Sequence, residues 1–122
     1  MKVFTSLLVF SIKNKEVYVL TDNSLNPPSW ILQDSDRESL DVVRDGFYNI
    51  SGIDKVWHPF YQQGGVYEFF CNKHKEVYII YSLYLESVCD LVDLSFKWTA
   101  LSDLDENIRL YKVIRYIYSF RK

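Results

Sequence analysis

The chain has 122 residues, 48% of them apolar and 25% charged. That balance excludes a disordered polypeptide and fits one domain, residues 1–122, with a core of its own. The formal net charge of −2 supplies no basic surface, so general nucleic-acid binding lacks its usual electrostatic support. The aromatic share of 17%, with ten Tyr and eight Phe, is high. Because the rings recur in strand-like runs, they point to a β-rich core rather than to a stacking surface. Cys71 and Cys89 stand far apart in apolar surroundings and match neither a disulfide framework nor a zinc pattern.

In chain order, Val3 to Ile12 is rich in Val, Phe, Leu and Thr and reads as a strand. Lys13-Asn14-Lys15 is a polar turn, and Glu16 to Thr21 is a second strand, so the pair predicts a hairpin. This apolar N-terminal run lacks a small-residue cleavage site and passes through Asn14-Lys15-Glu16 into the second strand, unlike a signal peptide. No stretch approaches the ~20 apolar residues needed to cross a bilayer. A soluble, cytoplasmic protein without a membrane partner is expected.

Asp22 to Ser29 is a loop, since Pro27-Pro28 cannot join a central ladder, and Trp30-Ile31-Leu32 is a short strand. Ser35-Asp-Arg-Glu38 has the spacing of a capping box. Leu40, Val43, Phe47 and Ile50 then follow helical spacing. Glu38, Asp41, Asp45 and Asn49 share the opposite face. Gly46 interrupts this helix at a cost of ~1 kcal/mol relative to Ala, and Gly52 is placed to stop it.

Val56 to Tyr61 is a candidate strand, irregular at Trp57-His58-Pro59, and Gly64-Gly65 permits a bend. Val66 to Cys71 and Glu76 to Leu85 are strong strands joined by Asn72 to Lys75. Ser87 to Ser95 is ambiguous, and Phe96 to Leu101 is a last strand. Ser102 or Asp103 caps a final helix running to Phe120, with a stripe at Leu110, Val113, Ile114 and Ile117. The order ββ-β-α-ββββ-α predicts an α/β (α+β) fold: a mixed β-sheet sandwiched between helices.

The order and spacing of the opening strand pair, Trp30-Ile31-Leu32, Glu38-Ser39-Leu40, Gly52-Ile53 and the late Phe96-Lys97-Trp98 with Leu101 resemble the Nudix hydrolase family. The resemblance implies a strand–loop–helix–loop that holds Mg²⁺ against a nucleoside diphosphate. The family signature is Gly, five residues, Glu, seven residues, then Arg-Glu-apolar-x-Glu-Glu-x-Gly-apolar, and its acids share one helical face to grip the metal. Anchored on Gly52-Ile53, this chain has Asp45 at the Arg position, Gly46 at the first Glu, and Asn49 and Ile50 at the paired glutamates. Anchored on Glu38-Ser39-Leu40, that pair falls on Ile50 and Ser51. The box is degenerate in either register.

Glu38, Asp41 and Asp45 remain as candidate catalytic or metal-binding acids, although a solvated helix face explains them as well. Trp30, Asn49, Glu68 and Tyr81 are the candidate ligand-binding residues. Tyr67, Phe69, Tyr78, Tyr81 and Tyr84 can wall a base, with sheet packing as the simpler explanation. His58 and His74 lack supporting ligand spacing for zinc.

Three functions compete. The first is a Nudix-like domain that has lost Mg²⁺-dependent pyrophosphohydrolase activity and serves as a nucleotide-type ligand-binding or protein-interaction module, with no cofactor expected. The second is a divergent active hydrolase of a nucleoside diphosphate derivative, using Mg²⁺ with Glu38, Asp41, Asp45 and Glu68 or Glu86. The third is a structural or interaction subunit whose exposed aromatics bury against a partner. A homodimer is among the assemblies expected under any of the three.

Overall fold

The computed structural model describes residues 2–32, 38–53, 61–71 and 73–119. Strand β1 (Lys2–Lys13) turns directly into β2 (Glu16–Asp22). Asn14 and Lys15 both take positive φ, 53° and 67°, the backbone of a primed two-residue turn whose twist matches its strands. After β3 (Ser29–Ile31) come α1 (Ser39–Ser51), β4 (Gln62–Cys71), β5 (His74–Tyr84), β6 (Phe96–Ala100) and α2 (Tyr111–Ser119).

The sheet order is β4-β5-β1-β2-β6. β1 pairs with β5 in parallel from Lys2 to Phe10. Its other edge takes β3 at Phe4 to Ser6 and β2 at Phe10 to Lys13, both antiparallel. One parallel pair among antiparallel ones makes the sheet mixed, as expected.

Because side chains alternate along a strand, β1 feeds two cores. Leu7 and Val9, with Leu20, Tyr81 and Leu83, pack under Val43, Phe47 and Ile50 of α1. Leu8 and Phe10, with Val19, Tyr78 and Ile80, pack under Val113, Ile114 and Ile117 of α2. A helix on each face leaves Leu7 to Phe10 with no exposed surface, so these positions read as a continuous apolar run rather than an alternating one. The buried hydroxyls of Thr21 and Thr99 bond each other at 2.7 Å, and Thr5 donates to the Ile79 carbonyl at 3.2 Å, which spares both strands an unsatisfied polar group.

Three boundaries differ from the sequence reading. The N-cap of α1 is Glu38, without a side-chain cap bond, so the helix does not begin from a Ser35 capping box; Ser35 itself lies outside the described residues. Instead the Ser39 hydroxyl meets the Tyr81 hydroxyl at 2.7 Å, which ties the first turn to β5. Second, no helix starts at Ser102 or Asp103. A 3-10 turn at Leu101–Asp103 is followed by turns, and α2 begins at Tyr111. The Asp105 carboxylate accepts from the Asn107 backbone N–H at 2.9 Å, and such local side-chain bonds compete with helix. Third, β4 begins at Gln62, and Gly64-Gly65 makes a register irregularity inside the strand instead of a bend before it. Gly65 takes φ 97° there, as bulges favour.

Gly52 closes α1 as expected, with φ 75° and its N–H on the Tyr48 carbonyl at 2.7 Å. The stretch Ser87 to Ser95 is irregular. Trp98 Nε1 pins it by donating to the Cys89 carbonyl at 2.8 Å, and the N–H groups of Val92 and Asp93 cap the Ile50 carbonyl. Most of the candidate strand Val56 to Tyr61, and Phe120 at the expected end of α2, lie outside the described residues. Among the described residues no helix is long and apolar enough to cross a membrane.

Candidate functional site

Helix α1 presents Glu38, Asp41 and Asn49 to solvent, while Asp45 is half-buried. Asp41 pairs with Arg44 one turn on, at 3.7 Å. Among the described residues no three His, Cys, Asp or Glu side chains converge in a group that could hold a metal ion. The described residues of α1 therefore do not by themselves assemble a site that fits the Mg²⁺ implied by the family resemblance.

The packing under α1 explains why. Gly46 sits inside a continuous helix rather than interrupting it, and a Cβ there would overlap the six-membered ring of Trp30. The ring occupies the space that a side chain at this position would need. Ile50 is 3% exposed and belongs to the core beneath the helix. Of the positions where the resemblance expects acids, one is closed by an aromatic ring and another is turned into the interior.

The expected ligand-binding residues do not share a site. Trp30 packs on α1, and Tyr81 is buried in the same cluster with its hydroxyl on Ser39. Asn49 is exposed on α1. Glu68 is exposed on the edge strand β4, where it pairs with Lys75 at 2.8 Å. Glu86 is exposed just beyond β5, and His74 is exposed at its start.

A cleft of about 760 Å³ opens on the other side of the sheet. Its walls come from the loop at Asp22 and Asn26 to Ser29, from Phe69 of β4, Tyr78 of β5 and Phe96 of β6, and from Asn107 to Leu110 ahead of α2. Phe69, Tyr78, Ile108 and Leu110 belong to the α2-side core, whereas Phe96 packs against the α1-side core, so most of this wall lies on the α2 side of the sheet, away from the α1 acids. The size is that of a small-molecule site.

Its aromatic wall is built from rings in mutual contact. Phe4 stacks on Tyr78 at 4.9 Å and 13°, and Phe69 meets Tyr78 edge-on at 5.5 Å and 85°. The Arg109 guanidinium lies 5.7 Å from the Phe69 centroid and 6.0 Å from that of Tyr78, donates to the Tyr78 hydroxyl at 3.2 Å and ion-pairs with Glu76. Asp22 shapes the loop: its Oδ1 accepts from the N–H groups of Ser24 and Asn26 at 2.8 and 3.0 Å. Asn26 and Asn107 are exposed at the rim.

Phe69 and Tyr78, expected from the sequence to wall a base or to pack in the sheet, line the cleft and pack in the α2-side core. Sequence reasoning missed Arg109, Asn26 and Asn107, which carry no motif and converge only through the fold. Outside the cleft, burial pushes the Tyr61 hydroxyl up to about 12, against an opposing pull from Arg44. Burial also raises the Cys89 thiol, which its own backbone hydrogen bond partly offsets and Asp90 reinforces. Neither group is poised to titrate near neutrality.

No family model matches the sequence, and no curated protein matches it. Solved structures do match in three dimensions. The C-terminal domain of mouse MUTYH, solved in complex with human PCNA, superposes with a TM-score of 0.74 at 17% identity, covering 99% of this chain and 90% of that one. The Nudix domain of Shewanella oneidensis NrtR, solved with ADP ribose, gives 0.69 at 14% identity, with 95% and 87% covered. A C. elegans Ap4A hydrolase gives 0.68 at 12%, with 100% and 99% covered. The fold is Nudix-like.

Proposed function

We propose that this Nudix-like fold works as a binding module that no longer cleaves diphosphates and that holds a nucleotide-type ligand in the cleft on the α2 side of the sheet. The observation that carries the reading is the Trp30 ring lying on Gly46. At that position no acid can be restored without displacing the partly buried indole that packs against the α1-side core, so the loss is built into the packing. Ile50 in the core and the dispersed Glu38, Asp41 and Asp45 support the same conclusion. The NrtR domain solved with ADP ribose makes ligand binding a role within reach of this architecture.

Purified protein incubated with Mg²⁺ or Mn²⁺ and a panel of nucleoside diphosphate derivatives, ADP ribose included, should release no cleavage product. Turnover of any of them that Asp45→Ala abolishes would restore the enzyme reading. Calorimetric titration with the same panel and with the corresponding nucleosides reads binding, and Phe69→Ala at the cleft wall should weaken whichever of them binds about tenfold, the loss of one good aromatic contact.

A further inference from the structure

The charges that line the cleft are already spoken for. Among the described residues lining it, Arg109 is the one cation and Asp22 the one anion. Arg109 is engaged from the protein side by the Glu76 carboxylate and by the Tyr78 hydroxyl. Glu76, its side chain only 17% exposed, supplies the countercharge to the guanidinium. A phosphate entering the cleft would have to take Arg109 from a carboxylate already in contact, with the Asp22 carboxylate also on the wall. Like charges that share one cleft oppose each other, the more so where water is excluded.

An uncharged ring system meets the opposite conditions. Phe69, with the Arg109 guanidinium near its ring, and Phe96, which also packs against the α1-side core, bring apolar rings to the wall, and Asn26 and Asn107 each bring an amide with both donor and acceptor character to the rim. That combination reads the edge of a planar heterocycle while its faces lie against rings. We infer that the cleft selects an uncharged planar heteroaromatic ligand of the nucleobase or nucleoside class, bound without phosphate and without a divalent metal, and that the Glu76–Arg109 pair is the element that turns phosphorylated forms away. The inference rests on the cleft being the ligand site, and it specifies which ligand the site accepts.

The test is calorimetric titration of the full chain with adenosine, guanosine, cytidine and uridine and with their 5′-diphosphates, with and without Mg²⁺. At least one nucleoside should bind, its diphosphate about tenfold more weakly, with no effect of Mg²⁺. Asn107→Ala should weaken the nucleoside about tenfold. Glu76→Gln, close in shape to the native residue, should free the guanidinium and narrow or reverse the preference against the diphosphate. A diphosphate that binds the native chain more tightly than its nucleoside, absence of binding by all four nucleosides, or a Glu76→Gln variant with unchanged preference would each overturn the inference while leaving the non-catalytic reading in place. Mg²⁺-dependent cleavage of a diphosphate in the same cell would overturn that reading as well.

Discussion

A methyl group added at Gly46 would run into the Trp30 indole, and this opposes the ordinary effect of the substitution. In an open helix Gly→Ala gains ~1 kcal/mol of propensity. Here overpacking of a core contact costs about 1–3 kcal/mol, so Gly46→Ala should be net destabilising, with a lowered midpoint in urea. Trp30→Leu removes the obstruction, and in that background the same Gly46→Ala change should become neutral or stabilising. If Gly46→Ala stabilises the native chain, the ring does not close this position and the main support for lost catalysis goes with it. The glycine was visible in the sequence as a defect in a helix. Its cause was not, because Trp30 stands sixteen positions earlier, and only the β3–α1 geometry brings the two together.

Helix α1 shows how much of an element a pattern can carry. The spacing of Val43, Phe47 and Ile50 identified its buried face, all three below 4% exposed, and Gly52 identified its end. Its beginning was misplaced because a capping-box spacing carries no information about a hydroxyl on another strand. The bond between Ser39 and Tyr81 does that work across 42 positions of sequence. Tyr81→Phe should therefore cost about 1 kcal/mol, the net worth of one partly buried hydrogen bond, read as a lower unfolding midpoint. Nucleoside affinity should stay the same, since Tyr81 lies on the α1 side of the sheet. A loss of affinity without loss of stability would return Tyr81 to the ligand site. The start of α2 failed for a related reason. Asp105 suits a helix N-terminus in isolation, but it spends its carboxylate on the Asn107 N–H in a turn.

At the scale of the molecule, the order of strands and helices along the chain was legible because period-two and helical patterns are local, while the parallel pairing of β1 with β5 that makes the sheet mixed is set by contacts distant in sequence. The cleft was not legible, because its walls come from five separate segments between Asp22 and Leu110, and a polar residue such as Asn107 looks like any loop residue until the fold sets it on the same wall as Phe69 and Tyr78. What binds the two sides of the molecule together is β1, whose adjacent residues Leu7 and Leu8 are both fully buried but in different cores. Leu7→Ala opens a cavity under α1 and Leu8→Ala one under α2, each at a cost of about 2–5 kcal/mol. If the cores shared one strand but unfolded separately, a reporter on the α1 side would register only the first. Trp30 and Trp98 both pack on the α1 side, so in a Trp57→Phe background tryptophan fluorescence reports that side. Because β1 cannot be withdrawn from one core and left in the other, Leu8→Ala should shift the fluorescence transition and the circular-dichroism transition together, as Leu7→Ala does. A Leu8→Ala chain whose fluorescence midpoint stays at the native value while its helix signal melts early would show two independent halves. In that case a ligand in the cleft would stabilise only the α2 side, whereas a single cooperative unit requires nucleoside binding on one face to protect the tryptophans on the other.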